Sequence, residues 1–212
     1  MGNNKHSPFL YVSKDISHGS YFDLKQEVVR RSAMMENITE EIKSSKLSMS
    51  IAQDFLTWLW FKSEKNNGQF ESSDGEVFGL TMGDKIVVQG GDGEFKESAM
   101  SSGKNSMFKE AKYGLRTGKK VYSAKIIIEY NGDEWSFFIK SEDFSITSFK
   151  TPKIAKKIQE NEDPDGLFFE KVYLVEKALD LFDGVFMEFL KIKFDPVWEE
   201  ELEELRSWIK KE

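Results

Sequence analysis

The 212-residue chain contains no cysteine. Disulfides, thiolate zinc sites, iron–sulfur clusters and cysteine nucleophiles are excluded together. Histidine is nearly as scarce. His6 and His18 are the only two, and both fall in a polar N-terminal stretch that reads as a solvated tail. A Ser–His–Asp relay therefore has no imidazole in the body of the chain. Long apolar runs are missing as well. The densest, FLTWLWF over residues 55–61, is far short of the ~18 residues a membrane span needs. The opening MGNNKHSPF carries no apolar signal core, so a cytoplasmic protein without membrane contact is expected. Gly90-Gly91-Asp92-Gly93 lacks the Gly-Lys-Ser/Thr of a phosphate loop and leads into strand-like sequence. No cofactor, metal or catalytic residue is expected.

What is present points to a folded, charge-segregated protein. Hydrophobic residues make up 39% of the chain and include 18 phenylalanines, enough for a sizeable core. The formal net charge is −7, which disfavours a general nucleic-acid binder unless its cations are clustered.

Periodicity divides the chain. Residues 1–20 read as a flexible arm. Residues 21–66 are helical: Leu24, Val28, Met35, Ile38 and Ile42 form one stripe, and a polar joint at 44–50 precedes a second helix. That second helix is apolar nearly all round, which marks a core element. Residues 67–152 read as an antiparallel sheet with one helix. Two strands, 77–80 and 85–88, are expected on either side of a Met82-Gly83-Asp84 joint, and a further strand at 94–99. A helix over 104–117 follows, stopped by Gly118. The clearest hairpin joins 120–130 to 134–141 through Asn131-Gly132-Asp133, with another extended stretch at 144–149. Residues 153–212 combine an acidic linker (159–166) with two helices, 165–193 and one capped by Asp195-Pro196. The spacing predicts an α+β fold, with 21–212 as one domain.

Three constellations could carry chemistry. Lys104, Lys109, Lys112, Arg116, Lys119 and Lys120 gather around the helix at 104–117, and Lys109, Lys112 and Arg116 share a helical face. Such an edge can lie along a phosphate backbone without reading sequence. Glu199, Glu200, Glu201, Glu203 and Glu204 crowd the last helix, as a solubilising face or as a surface for a basic protein. Glu94-Phe95-Lys96 with Asp84 or Asp92 has the elements of a metal-dependent nuclease, although an acid-x-Lys triplet is common by chance in a chain so highly charged.

From about Leu80 onward the order of elements resembles the C-terminal part of the RdgC family of recombination-associated proteins. The resemblance rests on Leu115-Arg116-Thr117-Gly118 closing a helix and Gly118-Lys119-Lys120-Val121 opening a strand. Ser148-Phe149-Lys150 then closes a later strand, and a final helix runs from Phe168-Phe169-Glu170 to Phe189. The segment from Asp54 to Glu64 also resembles one in shorter, divergent relatives. About two-thirds of the chain is covered. Typical members are longer, and their N-terminal part has no counterpart here. The resemblance implies a non-enzymatic, sequence-independent binder of double-stranded DNA. Such a protein would form a homodimer, associate with the nucleoid and limit access of the recombinase. By carry-over, Arg116, Lys119 and Lys120 would contact DNA. The alternative reading is an acidic interaction or inhibitor module acting on a recombination or repair protein.

Overall fold

The unbroken buried run from Phe55 to Phe61 sets the centre of the molecule. In the computed structural model residues 18–20, 45–72, 74–90, 97–102, 108–153 and 164–211 are described. Helix α1 (Ser45–Lys65) carries that run. It lies on one face of an antiparallel sheet built from β1 (His18–Ser20), β2 (Gln69–Glu71), β3 (Val77–Gly90), β4 (Glu97–Ser102), β5 (Lys120–Tyr130), β6 (Asp133–Lys140) and β7 (Ser145–Lys150). The strand order is β1-β7-β6-β5-β3-β2, with β4 beside the second half of β3. Helices α2 (Lys109–Arg116) and α3 (Pro164–Lys193) cover the same face as α1. Helix α4 (Trp198–Lys210) packs outside α1 and α2. The fold is α+β, with long C-terminal helices as the periodicity indicated.

Alternation fills the core from the sheet side. Phe78, Leu80, Ile86 and Val88 of β3 are buried, as are Val121, Ala124, Ile126 and Ile128 of β5, and Trp135, Phe137 and Ile139 of β6. Against them stands an aromatic cluster. The Phe55 ring lies 4.9 Å from Phe186, 5.4 Å from Phe189, 5.5 Å from Phe182 and 6.3 Å from Phe144. Edge-to-face pairs of this kind add to area burial.

The β5–β6 hairpin forms as expected. Asn131 and Gly132 both have positive φ, 51° and 85°, and Tyr130 pairs with Asp133 across the two-residue turn.

Four expectations need correction. The segments 77–80 and 85–88 are not separate strands. They belong to one bent strand, because both halves pair with β5 and an irregularity between Met82 and Ile86 absorbs the extra residues. The end of the expected arm, His18–Ser20, is strand β1, which satisfies the outer backbone edge of β7 through the Gly19–Ile146 register. The polar joint at 44–50 is helical from Ser45, since serine and lysine without glycine or proline do not break a helix. Asp195-Pro196 forms a turn ahead of α4 and does not cap it directly. The Asp195 carboxylate accepts the Val197 N–H at 3.0 Å, and its carbonyl accepts the Trp198 N–H at 2.9 Å. The strand expected at 94–99 is described from Glu97 onward, in β4. Residues 94–96, the stripe at 21–44, residues 159–163 of the acidic linker and Lys104 lie outside the described residues, and residues 164–166 of that linker open α3.

Because Phe55 is fully buried and touches rings from α3 and the sheet end alike, Phe55→Ala is expected to cost about 3–5 kcal/mol. Urea unfolding monitored by tryptophan fluorescence measures this, and a loss below about 1 kcal/mol would contradict the packing described.

Candidate nucleic-acid interface

Helix α1 carries few charges, and each that points inward needs a counter-charge. Asp54 receives two lysines: Lys120 of β5 at 2.6 Å and Lys193 of α3 at 2.8 Å. The Lys193 ammonium also sits 4.2 Å above the Trp198 ring. Glu64 accepts the Trp60 indole N–H at 2.8 Å, the Trp208 indole N–H at 2.8 Å and the Lys112 ammonium at 2.8 Å. Lys62 pairs with the buried Glu201 at 2.7 Å, whose carboxylate also accepts the Trp58 indole N–H at 2.9 Å. Lys65 pairs with Glu204.

Three of the expected DNA-binding cations are engaged within the fold. Lys112 is held by Glu64 and lies 4.4 Å over Trp208. Arg116 closes the C-terminal end of α4, donating to the carbonyls of Ile209 at 2.8 Å and Lys211 at 2.9 Å. Lys120 is tied to Asp54. These three contacts join α2 to α1, α2 to α4, and β5 to α1. Lys109 is exposed, and Lys119 reaches the Thr117 hydroxyl at 3.4 Å. The acidic helix is partly structural too, since Glu201 and Glu204 are engaged with α1. Glu199, Glu200 and Glu203 are exposed. Of the expected nuclease residues, Glu94, Lys96 and Asp92 lie outside the described residues, and Asp84 pairs with Lys125.

A different set of lysines converges on the sheet face away from the helices. Among the described residues no helix packs on that face. Thr81, Ile127, Ser136 and Lys150 form one cross-strand row, and Lys125, Phe138 and Thr147 the next. Val87, Ser123 and Lys140 form a third. Successive rows are two residues apart, about 7 Å along the strand, and each carries one lysine. Lys85 joins from β3, its ammonium 5.9 Å over the Phe138 ring. Lys85, Lys140 and Lys150 are exposed, while Lys125, Phe138, Ile127 and Val87 are half-buried.

Gly83 makes the row around Lys125 possible. A Cβ at this position would come within 2.9 Å of the Lys125 stem, so only glycine lets the stem lie flat across the bend of β3.

One acid on this face lies among the lysines and two lie at its hairpin end. Asp84 sits among the lysines, 3.0 Å from Lys125. The Lys125 hydrogen bond first, and its charge second, hold the Asp84 carboxyl below the ordinary aspartate range. A lowered folded value means the pair stabilises above the unfolded pKa and fades as pH falls through the folded one. Glu129 and Glu134 face each other at the hairpin end. There they border an open cleft with Gln69, Gly79, Asn131 and Asp133, so anions are favoured at the opposite end of the face.

Lys85, Lys125, Lys140 and Lys150 are not among the cations that the sequence singles out. The available signal was period two: Lys125 is out of phase with the apolar residues of β5, and Lys140 with those of β6. Neither reads as a cluster until register brings the strands together.

The class defined by these elements is an α+β protein with helices on one sheet face and a lysine-bearing opposite face. No protein-family model, curated protein or solved structure matches the chain. Among the described residues no helix is long and apolar enough to cross a membrane, and no group of three His, Cys, Asp or Glu converges on a metal position.

Proposed function

We propose that this protein is a non-enzymatic, sequence-independent DNA-binding protein that acts at the nucleoid and limits the access of a recombinase to double-stranded DNA. The observation that carries the proposal is the sheet face with one lysine in each of three register rows and Lys85 beside them. Ammonium groups spread over a sheet surface neutralise phosphates without reading base edges. Their segregation from Glu129 and Glu134 explains how a chain of net charge −7 can present a cationic surface. The resemblance to RdgC-like proteins adds the recombination context. The contact surface favoured here is the sheet face, in place of the helix edge around Lys112, Arg116 and Lys120.

A homodimer fits the same reading through the first turns of α3. Phe169 and Tyr173 are 68% and 59% exposed there. About a twofold axis between Tyr173 and Leu174, an antiparallel α3 pair would set Lys171 against Glu176 of the second copy, and both side chains are exposed. Light scattering at micromolar concentration is expected to give twice the 24.5 kDa chain mass, reduced to one chain by Tyr173→Glu. A monomer before substitution would rule this contact out.

The DNA reading is tested by fluorescence anisotropy on a 30-base-pair duplex across a salt series. Exchanging Lys85, Lys140 and Lys150 together for glutamate is expected to weaken binding at low salt by more than about tenfold. The salt slope should fall by roughly 2.7, at about 0.9 per phosphate contact. Lys109→Glu should change affinity by less than about threefold. An unchanged affinity in the triple variant, or a native salt slope near zero, would sink the proposal.

A further inference from the structure

The same face carries more than lysines, and the rest of it bears on the form of DNA it accepts. Resting on the DNA reading, we infer that the site takes an unpaired strand in preference to a duplex, with one base stacked on Phe138.

Register places Val87, Ile127 and Phe138 on neighbouring strands of the open face, all half-buried, so an apolar floor runs between the lysines. A duplex meeting a shallow face offers phosphates and groove edges. Its base planes are already stacked inside, and the apolar floor then gains nothing. An unpaired strand offers base faces, each of which can cover an aromatic ring while its phosphates reach the surrounding ammonium groups. Phe138 stands at the centre of this arrangement, with Lys125 opposite it on one side and Thr147 on the other.

Lys85 supplies the exchange. Its ammonium covers the Phe138 ring at 5.9 Å, holding a place that a base would take. A base arriving on the ring displaces that cation toward the adjoining phosphate, so one attraction replaces another. The hydroxyls of Thr81, Ser123 and Thr147 beside the floor both donate and accept, so they can meet any base edge. That accords with a lack of sequence preference.

The test compares fluorescein-labelled oligo(dT) with a duplex of equal length at matched salt, using the full chain. Tighter binding of the single strand is expected. Phe138→Leu, which keeps apolar volume and removes the ring face, should weaken oligo(dT) binding about tenfold and duplex binding less than twofold. Phe138→Trp should retain the single-strand affinity, and thermal unfolding of both variants checks that they fold. Duplex binding tighter than single-strand binding would overturn the inference, as would an equal loss on both ligands in Phe138→Leu. If the lysine variant abolishes duplex binding while Phe138→Leu leaves oligo(dT) untouched, this inference fails and the DNA reading stands. If neither nucleic acid binds, the DNA reading itself fails and the inference falls with it.

Discussion

Three charges of α1 orient the elements around it. Asp54 and Lys62 are half-buried on a helix rich in phenylalanine, tryptophan and leucine, where a charge is costly unless matched, and Glu64, exposed near the helix end, gathers Trp60, Trp208 and Lys112. The matches come from four other elements: Lys120 of β5, Lys193 of α3, Lys112 of α2, and Glu201 and Trp208 of α4. Each pair also fixes an orientation, because the indole N–H groups of Trp58, Trp60 and Trp208 must reach the same carboxylates. Apolar packing holds the helices against the sheet, and these bonds select one rotation and one register for them. Arg116 finishes the arrangement by closing the end of α4.

That constraint sorts the lysines into two groups. Those nearest α1 serve carboxylates and tryptophans. Those on the outward phase of β5, β6 and β7 have no helix among the described residues to meet them. The strand pleat alone directs them to the opposite face. The helical face specifies the fold, and the sheet face presents cations, hydroxyls and a small apolar floor. The acids at the β5–β6 hairpin keep that surface polarised along its length.

Elements with a local cause were legible in the sequence. Asn131-Gly132 dictates its turn through backbone conformation, the run FLTWLWF marks a central helix, and the stripe from Val172 to Phe189 marks α3. The bend in β3 was not legible, because Gly83-Asp84 looks like a turn until β5 is seen to pair on both sides of it. The candidate site was the least readable part. Lys109, Lys112 and Arg116 are close in sequence and read as a cluster, yet Lys112 and Arg116 are claimed by Glu64 and by α4, from far along the chain. Lys85, Lys125, Lys140 and Lys150 are scattered in sequence and meet only through register. Charge pairing across long separations leaves no periodic signal, so a count of local cations does not show which of them are engaged within the fold.

Lysine acetylation footprinting with and without DNA, read by mass spectrometry, separates the two groups in one experiment. The account predicts that DNA protects Lys85, Lys140 and Lys150, while Lys112 and Lys120 react slowly whether DNA is present or absent. Protection confined to Lys109, Lys112 and Lys119, with the sheet lysines equally reactive in both states, would contradict it.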